Sequence, residues 1–585
     1  MGRRPSCPAT CRSDDTGPDE RQFIQAGKTR SVGRGNKVRI IDRQSLFPPE
    51  LEQHRERLEK RIFDDALVYS ILNLSQRTDL FYFKEDNQSK GNPAIFETDQ
   101  LPDRIFVDEG LIYHVSADNS GFQPNDHTSN HVRKNLLYVT LPFPIDPFFQ
   151  TEDQTVKQKL VNRLLHTRPM FADTQHQRLI DRFISRRRAK HRHNPLKRNH
   201  YQIARREDMT PTGRGDINPD NKPVAVIALH WLDTGGAESC GIDAIRAAKE
   251  KGYYTICVTD KRGKETHEEM VRDIADHTFC LNRLLPRPHW RRFYLSLFHY
   301  FDPEILHLHH CNTMYGALPM IKTFFPKTKV VSSTHIIEHR DGGYCRISGV
   351  FKNYIDMQHI ISKELHDYYA DQFGIADDNI RLGYLINKDH AHEFKPPRPH
   401  EEIAKELKIL FVGRMVQQKR PFILVDLAYR LTQRKVNFSV TMAGSGPLKK
   451  MTERYCERAG LGSKINFLGN VAHADVLKLM EDHHIIVVPS ENEGLTLIAY
   501  EAVLSGLTVI STEVGAQREI VADPLLVPRH TKACANQLVD KVTRLVKDKA
   551  FYDEMNAEQA EKAKAILASP NYADVLAEIY DQPAR

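Results

Sequence analysis

The sequence predicts an α/β protein, with two tandem doubly wound, Rossmann-like domains preceded by an α+β N-terminal region. Three observations carry this expectation. From Val224 onward, short apolar runs alternate with helix-length amphipathic segments, the pattern of a parallel sheet covered by helices on both faces. The alternation breaks at a charged, Pro-rich stretch and then begins again. The 585 residues are also too many for one ordinary hydrophobic core.

Residues 1–35 are polar and rich in Gly, Arg and Ser, which predicts a disordered tail. Cys7 and Cys11 form a lone C-x3-C there, and without a second pair they do not make a metal site. Residues 36–180 mix strand-like runs (RIFVDEGLIYHVS, LLYVTLPFPI) with helix-like ones (PPELEQHRERLEKRIFDDALVYSILNL), and read as a folded accessory domain without a recognisable motif. Residues 181–222 form a basic segment and linker, with ten Lys or Arg and one acid between Asp181 and Arg206. That charge suits a solvated linker, an anionic membrane surface or an acidic acceptor; no nucleic-acid motif accompanies it, and nucleic acid is not an expected partner. PTGRGDINPDNKP, Pro211 to Pro223, is dense in turn formers.

The first α/β domain is expected over 223–395, through VAVIAL, TGGAESCGIDAIRAAKEKG, YYTICVTD, EILHLHH, KVVSSTH and MQHIIS. KPPRPHEE, Lys395 to Glu402, is the connector. The second domain, 396–585, runs through LKILFVG, FSVTMAG, KINFLGN, HIIVVPS and LTVIST, and its last helix is expected to cross back.

Composition excludes wholesale disorder and a membrane-embedded class, at 40% apolar and 27% charged residues. No uninterrupted apolar run approaches the roughly 18 residues that span a bilayer. The opening MGRRPSCPATCRSDD has no apolar run behind its basic residues and is not a secretory signal. Nine cysteines without repeated spacing suggest reduced thiols. The expected location is cytoplasmic, with peripheral contact at the inner membrane face as a further expectation from the basic segment.

Ligands of doubly wound sheets bind beyond the carboxyl ends of the strands, so the loops there carry the chemistry. In HWLDTGGAES, Gly235 and Gly236 permit positive φ and a close backbone approach, with a helix N-terminus behind them to hold an anion; a plain tight turn reads equally well. In FVGRMVQQKRP, Arg414 and Lys419 follow a strand end and suit a diphosphate, Arg by paired hydrogen bonds and Lys as a point charge. MAGSGP, with Gly444, turns at the next strand end. VVPSENEGLTLIAYE places Glu493 in a turn after a strand and Glu501 two turns into a helix expected from Gly494 to Leu504. Eight residues at helical rise separate their backbones by roughly 12 Å. Paired glycosidase carboxylates stand about 5–9.5 Å apart across one bond. The wider spacing suits two ends of a long ligand, with helix N–H groups between them for a phosphate. In LHLHHCN, strand alternation puts His307 and His309 on one face and His310 on the other. A structural or substrate-facing role fits them better than a metal site.

Taken in order, TGGAE, THIIEH, GRMVQQK, AGSGP, NFLGNV and the Glu-x7-Glu of EGLTLIAYE make residues 224 to about 580 resemble glycosyltransferase family 4, whose members have the GT-B fold of two facing Rossmann-like domains. The resemblance implies a retaining transferase that moves a hexose-type sugar from a UDP- or GDP-linked donor to a hydroxyl, in bacterial surface or capsular polysaccharide or glycolipid synthesis. Glu493 would contact the donor sugar and Glu501 the ribose. Arg414 and Lys419 would neutralise the diphosphate, and His335 would hydrogen-bond a sugar hydroxyl. Gly235 and Gly236 would face the phosphates or the acceptor. Gly444, Phe467, Leu468, Gly494, Leu495 and Thr496 complete the donor-binding set, with the backbone of Phe467 to Asn470 against the base. His335, Arg414, Lys419 and Glu493 are the expected catalytic group. No cofactor and no metal are implied, and the partners are the nucleotide sugar and a glycan or lipid-linked acceptor. A nucleotide-sugar epimerase, a phosphorylase and a non-catalytic scaffold of the same fold are the alternatives. INKDHAHEFKP departs from the family's Asn-Gly-Val-Asp: Asn387 matches, but Lys388 stands where the glycine should be.

Overall fold

In a computed structural model, the described residues are 220–386 and 394–581 with few gaps, 167–178, and short stretches within the first 141. The tail cysteines, nearly all of the basic segment and the Asn387–Lys388 loop lie outside them. The chain divides into two compact units. In the first, six strands form one sheet: β1 (Thr29–Val32), β2 (Asn36–Arg39), β3 (Arg77–Lys84), β4 (Ile95–Thr98), β5 (Leu111–Asp118) and β6 (Lys134–Leu141). Their order is β1-β2-β5-β3-β6-β4, antiparallel except for β3 against β6.

The second unit contains two parallel sheets and also takes in residues 145–210. The first sheet is built from β7 (Val224–Leu229), β8 (Tyr254–Thr259), β9 (His277–Cys280), β10 (Ile305–His309), β11 (Lys329–Thr334), β12 (Met357–Ile360) and β13 (Ile380–Leu382). The second is built from β14 (Leu407–Val412), β15 (Phe438–Ala443), β16 (Ile465–Gly469), β17 (Ile485–Val488), β18 (Thr508–Thr512) and β19 (Leu526–Val527). Every residue of β7, β8 and β17 is buried, because helices cover both faces; this is why these strands read as continuous apolar runs.

Both sheets are doubly wound. The first runs β13-β12-β11-β10-β7-β8-β9 and the second β16-β15-β14-β17-β18-β19. Each chain starts in the middle, moves out to one side and returns to continue on the other. The order reverses between β7 and β10 in one sheet and between β14 and β17 in the other, which opens a crevice at each reversal. His230 and His310 follow the first pair of strand ends, and Arg414, Lys419 and Glu493 follow the second.

The chain then returns to where the unit began. The helix Lys549–Ala568 packs on the second sheet's core through Phe551, Tyr552, Met555, Ala563 and Ile566. Asn571 and Asp574 form a capping box that starts a new helix, Tyr572–Tyr580, in a fresh direction. Its Tyr572, Val575, Leu576, Ile579 and Tyr580 are buried in the core of the first sheet. The Tyr572 hydroxyl donates to Cys240 O at 3.0 Å, and the Tyr580 hydroxyl lies 2.9 Å from His307 Nδ1.

Two local expectations are corrected. Part of the connector is helical, since the helix His400–Lys405 starts within it. The helix carrying Glu501 begins at Leu497 instead of Gly494, which leaves Gly494, Leu495 and Thr496 as a turn and places Glu501 one turn in.

Candidate functional site

The loop after β14 turns sharply because the strands behind it crowd. A Cβ on Gly444, whose φ is +137°, would meet the backbone carbonyl of Gly413, and Gly444 N donates to Gly469 O at 2.6 Å. This close approach stacks the ends of β14, β15 and β16 into one wall. Phe467 is half-buried in that wall and Leu468 is exposed on it. Arg414 projects from the wall as an exposed cation.

A short 3-10 turn, Gln417–Lys419, follows and ends at Arg420. The Lys419 ammonium donates to Glu493 Oε1 at 2.5 Å, with the lysine side chain 20% exposed and the glutamate 8%. Gln418 ties the same two loops together: its Nε2 donates to Asn492 O at 2.8 Å and its carbonyl accepts from Glu491 N at 2.7 Å. Two expected site residues distant in sequence are thus brought into one ion pair. Glu501 stands elsewhere, 3.0 Å from the exposed His473 Nε2. The two glutamates have separate partners.

The Glu493 turn also touches the first sheet. A Cβ on Gly494 would strike His335 O, and Asn492 Nδ2 lies 3.4 Å from Ile337 O. A glycine is required at 494 by this backbone contact. Leu495 and Thr496 are buried, and Gln517 donates to the Thr496 hydroxyl.

Across from this wall, His335 follows β11. It is buried, and neither ring nitrogen has a hydrogen-bond partner among the described residues. Burial pushes its basicity down to about 3, so the ring is neutral at pH 7, with one N–H to donate and one nitrogen to accept. The His310 ring centroid is 5.0 Å from that of His335 and stacks at 4.5 Å on Tyr344; the His309 centroid is 6.2 Å from His335. His309 and His310 therefore both approach His335, unlike the alternation expected. The strand ends at His309, and His310 adopts φ +62°, which breaks the period of two.

The Gly235–Gly236 loop is also corrected. Neither glycine has positive φ: Gly235 is extended at −176°. The demand is for space, because a Cβ at 235 would press on the Glu238 carboxylate. Glu238 is a further site residue, contained in the motif TGGAE but not singled out by the sequence pattern. It is buried and accepts from Trp231 Nε1 at 2.5 Å, with His230 Nε2 3.0 Å away. Burial alone would raise its carboxyl, but the His230 contact, with help from its own N–H and from Trp231, holds it below the usual range. Lys261 lies 4.9 Å over the Tyr344 ring and 5.7 Å from that of Trp231. Asp260 accepts two bonds from Thr313 at 2.8 Å, and its buried Oδ1 has no hydrogen-bond partner among the described residues. These residues gather the Tyr344 and Trp231 rings, one lysine, and buried imidazole nitrogens and a carboxyl oxygen that have no hydrogen-bond partner among the described residues, a set of groups suited to hydroxyls. Among the described residues no group of three His, Cys, Asp or Glu is placed to hold a metal ion. No described helix is long and apolar enough to cross a membrane.

The second sheet and its site match a known family: residues 394–565 fit the model of glycosyl transferases group 1. Among curated relatives, one subunit of the human phosphatidylinositol N-acetylglucosaminyltransferase is 26% identical over 51% of this chain and 63% of its own. An uncharacterized glycosyltransferase of Methanocaldococcus jannaschii is 29% identical over 28% of this chain and 43% of its own. An α-D-kanosaminyltransferase of Streptomyces kanamyceticus is 25% identical over 34% and 53%. The chain thus spans about three tenths to three fifths of the length of the curated relatives it matches. Among solved structures, Anabaena HepE in complex with UDP is 15% identical with a TM-score of 0.47, covering 61% of this chain and 98% of that one. Sucrose-phosphate synthase from Thermosynechococcus elongatus is 18% identical with a TM-score of 0.46, covering 62% and 98%.

Proposed function

We propose, from the premise that this chain carries a group 1 glycosyltransferase domain, that it moves a sugar from a nucleotide-diphosphate-sugar to a hydroxyl acceptor with retention of anomeric configuration. The observation that supports this best is the Lys419–Glu493 pair at the reversal point of the second sheet, flanked by the exposed cation of Arg414. In this reading the donor diphosphate lies against Lys419 and Arg414. Breaking the sugar bond builds negative charge on the leaving phosphate, and cations fixed in place beforehand stabilise that charge without reorganising. Lys419 has three donors and Glu493 engages one, which leaves others for phosphate oxygens. Glu493 holds a donor hydroxyl, and Glu501, further round the site beside His473, takes the ribose of a UDP- or GDP-linked donor. The leaving phosphate assists removal of the acceptor proton, so no protein nucleophile is assigned and no step passes through a metal or cofactor.

The acceptor enters from the first sheet, where neutral His335 and His310 and the Asp260 Oδ1 oxygen are suited to hydroxyls. Relatives named for phosphatidylinositol and for D-inositol 3-phosphate make a phosphate-bearing polyol a natural acceptor to try, and Lys261 supplies a counter-charge. Relatives come from human, plant, yeast, archaeal and bacterial sources and give no preference to a bacterial surface polymer.

The test is a panel of labelled UDP- and GDP-sugars offered with and without phosphatidylinositol, inositol phosphate and a glycan acceptor. Turnover of at least one donor, lost in Glu493→Ala, supports the reading. Failure to bind, hydrolyse or transfer from any donor sinks it.

A further inference from the structure

The helical residues 169–178 stand apart from both α/β domains in sequence, yet they belong to the same compact unit. Their buried face is Pro169, Asp173 and Gln177, one stripe at i, i+4 and i+8. An ordinary docking helix buries leucines along such a stripe; here two of the three positions are polar and almost wholly inaccessible, Asp173 at 0% and Gln177 at 1%. Burying such groups is costly unless each is paired, so their partners define what the helix does.

Asp173 accepts from Gln417 Nε2, lies 2.7 Å from the Thr531 hydroxyl and stands 3.6 Å from the Arg420 guanidinium. Gln177 accepts from Thr531 N at 3.0 Å and donates to Arg529 O at 3.2 Å, and Asp181 accepts from Arg529 Nη2 at 2.8 Å. Arg420 is itself fully buried and adopts φ +47°, a left-handed conformation that is uncommon for a bulky side chain. Such backbone persists only where its surroundings over-determine it. Arg420 donates to Pro489 O at 2.7 Å, Ser490 O at 2.9 Å and Arg529 O at 2.6 Å, so it clasps the strand end that leads into Glu493. Asp173 is a fully buried counter-charge to it. Lys419, whose ammonium meets Glu493, is the residue immediately before Arg420, and Gln417 begins the same turn.

We infer that the upstream segment is a working part of the donor half, with Asp173 a positioning residue: by holding Gln417 and Arg420 from behind, it sets the 417–420 turn and the 489–493 strand end so that Lys419 and Glu493 present to the donor. The inference rests on the donor-site reading above.

The experiment uses the full chain and three variants, Asp173→Ala, Asp173→Asn and Gln417→Ala. Two readouts are taken: steady-state kinetics with separate donor and acceptor titrations, and amide hydrogen exchange of residues 416–420 and 490–494. Asp173→Ala is expected to raise the donor KM about tenfold or more, with the acceptor KM within twofold, and to speed exchange in both segments. Asp173→Asn keeps an acceptor for Gln417 but loses the charge facing Arg420, and is expected to fall in between. Gln417→Ala cuts one link at the surface of the brace and is expected to reproduce part of the effect in a folded protein, which covers the case in which the Asp173 variants do not fold. Variants that keep the wild-type donor KM and exchange pattern overturn the inference. If the wild type itself uses no donor, the donor-site reading has failed, and exchange unchanged in the variants would still reject the brace on its own terms.

Discussion

Substituting Lys419 by methionine keeps an unbranched apolar stem as far as Cε and removes the ammonium, leaving the Glu493 carboxylate, 8% exposed, without the cation that stood 2.5 Å away. Removing one partner of a fully buried pair costs about 3–5 kcal/mol. Lys419 is one-fifth exposed, so water recovers part of that loss, and about 2 kcal/mol is expected. Glu493→Gln leaves an ammonium that can turn toward solvent and should cost roughly 1 kcal/mol. The double variant has neither orphan, so the two effects should fail to add by about 1–2 kcal/mol. Both tryptophans, Trp231 and Trp290, lie in the first α/β half, so their fluorescence does not report on this pair; circular dichroism through a urea series, with amide exchange of Ile485–Val488, does. In transfer assays Lys419→Met should lower kcat about 10²–10³-fold, the usual loss for one preorganised group that stabilises developing negative charge. Stability effects that add to within about 0.5 kcal/mol would show the pair to be uncoupled, and a loss of transfer below tenfold would refute Lys419 as the diphosphate cation.

Buried histidines should make the fold acid-sensitive: burial holds His335 down to about 3 and His359 to about 4, and lowers His307, His309 and His310 well below the usual value. Since these folded values lie below the unfolded one, the stability is present above about pH 6.5 and is lost as pH falls below it, by up to about 1.4 kcal/mol per histidine per pH unit; urea midpoints that stay level from pH 7.5 to 5 would contradict this. Glu364, raised to about 7 by burial and by Glu519, acts in the opposite sense, with stability present below about pH 4.5 and lost as pH rises through 7; Glu364→Gln should therefore gain stability at pH 8 and gain little at pH 5. Gly494→Ala forces a methyl group against His335 O and should destabilise by about 1–3 kcal/mol, detectable as faster exchange on both sides of that contact; a wild-type melting curve would mean the contact is not made.

The doubly wound sheets are legible in the sequence because strand-and-helix alternation is a local pattern, and so are the loops at the strand ends that hold Arg414, Lys419 and Glu493 and the helix that holds Glu501. Partnership is not legible. Lys419 and Arg420 are neighbours of the same charge, and nothing in the dipeptide tells which one turns inward; the structure buries Arg420 and leaves Lys419 at the site. The acid that decides this, Asp173, lies 244 positions from Gln417, beyond the reach of any periodicity. Strand alternation puts His310 on the wrong face because a period of two holds only within the strand, and the strand ends one residue earlier. Glu238 is visible in its motif, but its role depends on His230 and Trp231 arriving from the strand before it.

The returning helix Tyr572–Tyr580 has a consequence for how the protein comes to be made. Five of its side chains complete a core whose first strand, β7, leaves the ribosome about 350 residues earlier. Until residues 572–580 have been made, the first α/β half has an open groove beside the helix Gly236–Glu250 where Tyr572 and Tyr580 will sit, so that half does not mature strictly in N-to-C order. A nascent chain stalled before residue 570 would present that groove, and the apolar side chains lining it, to chaperones.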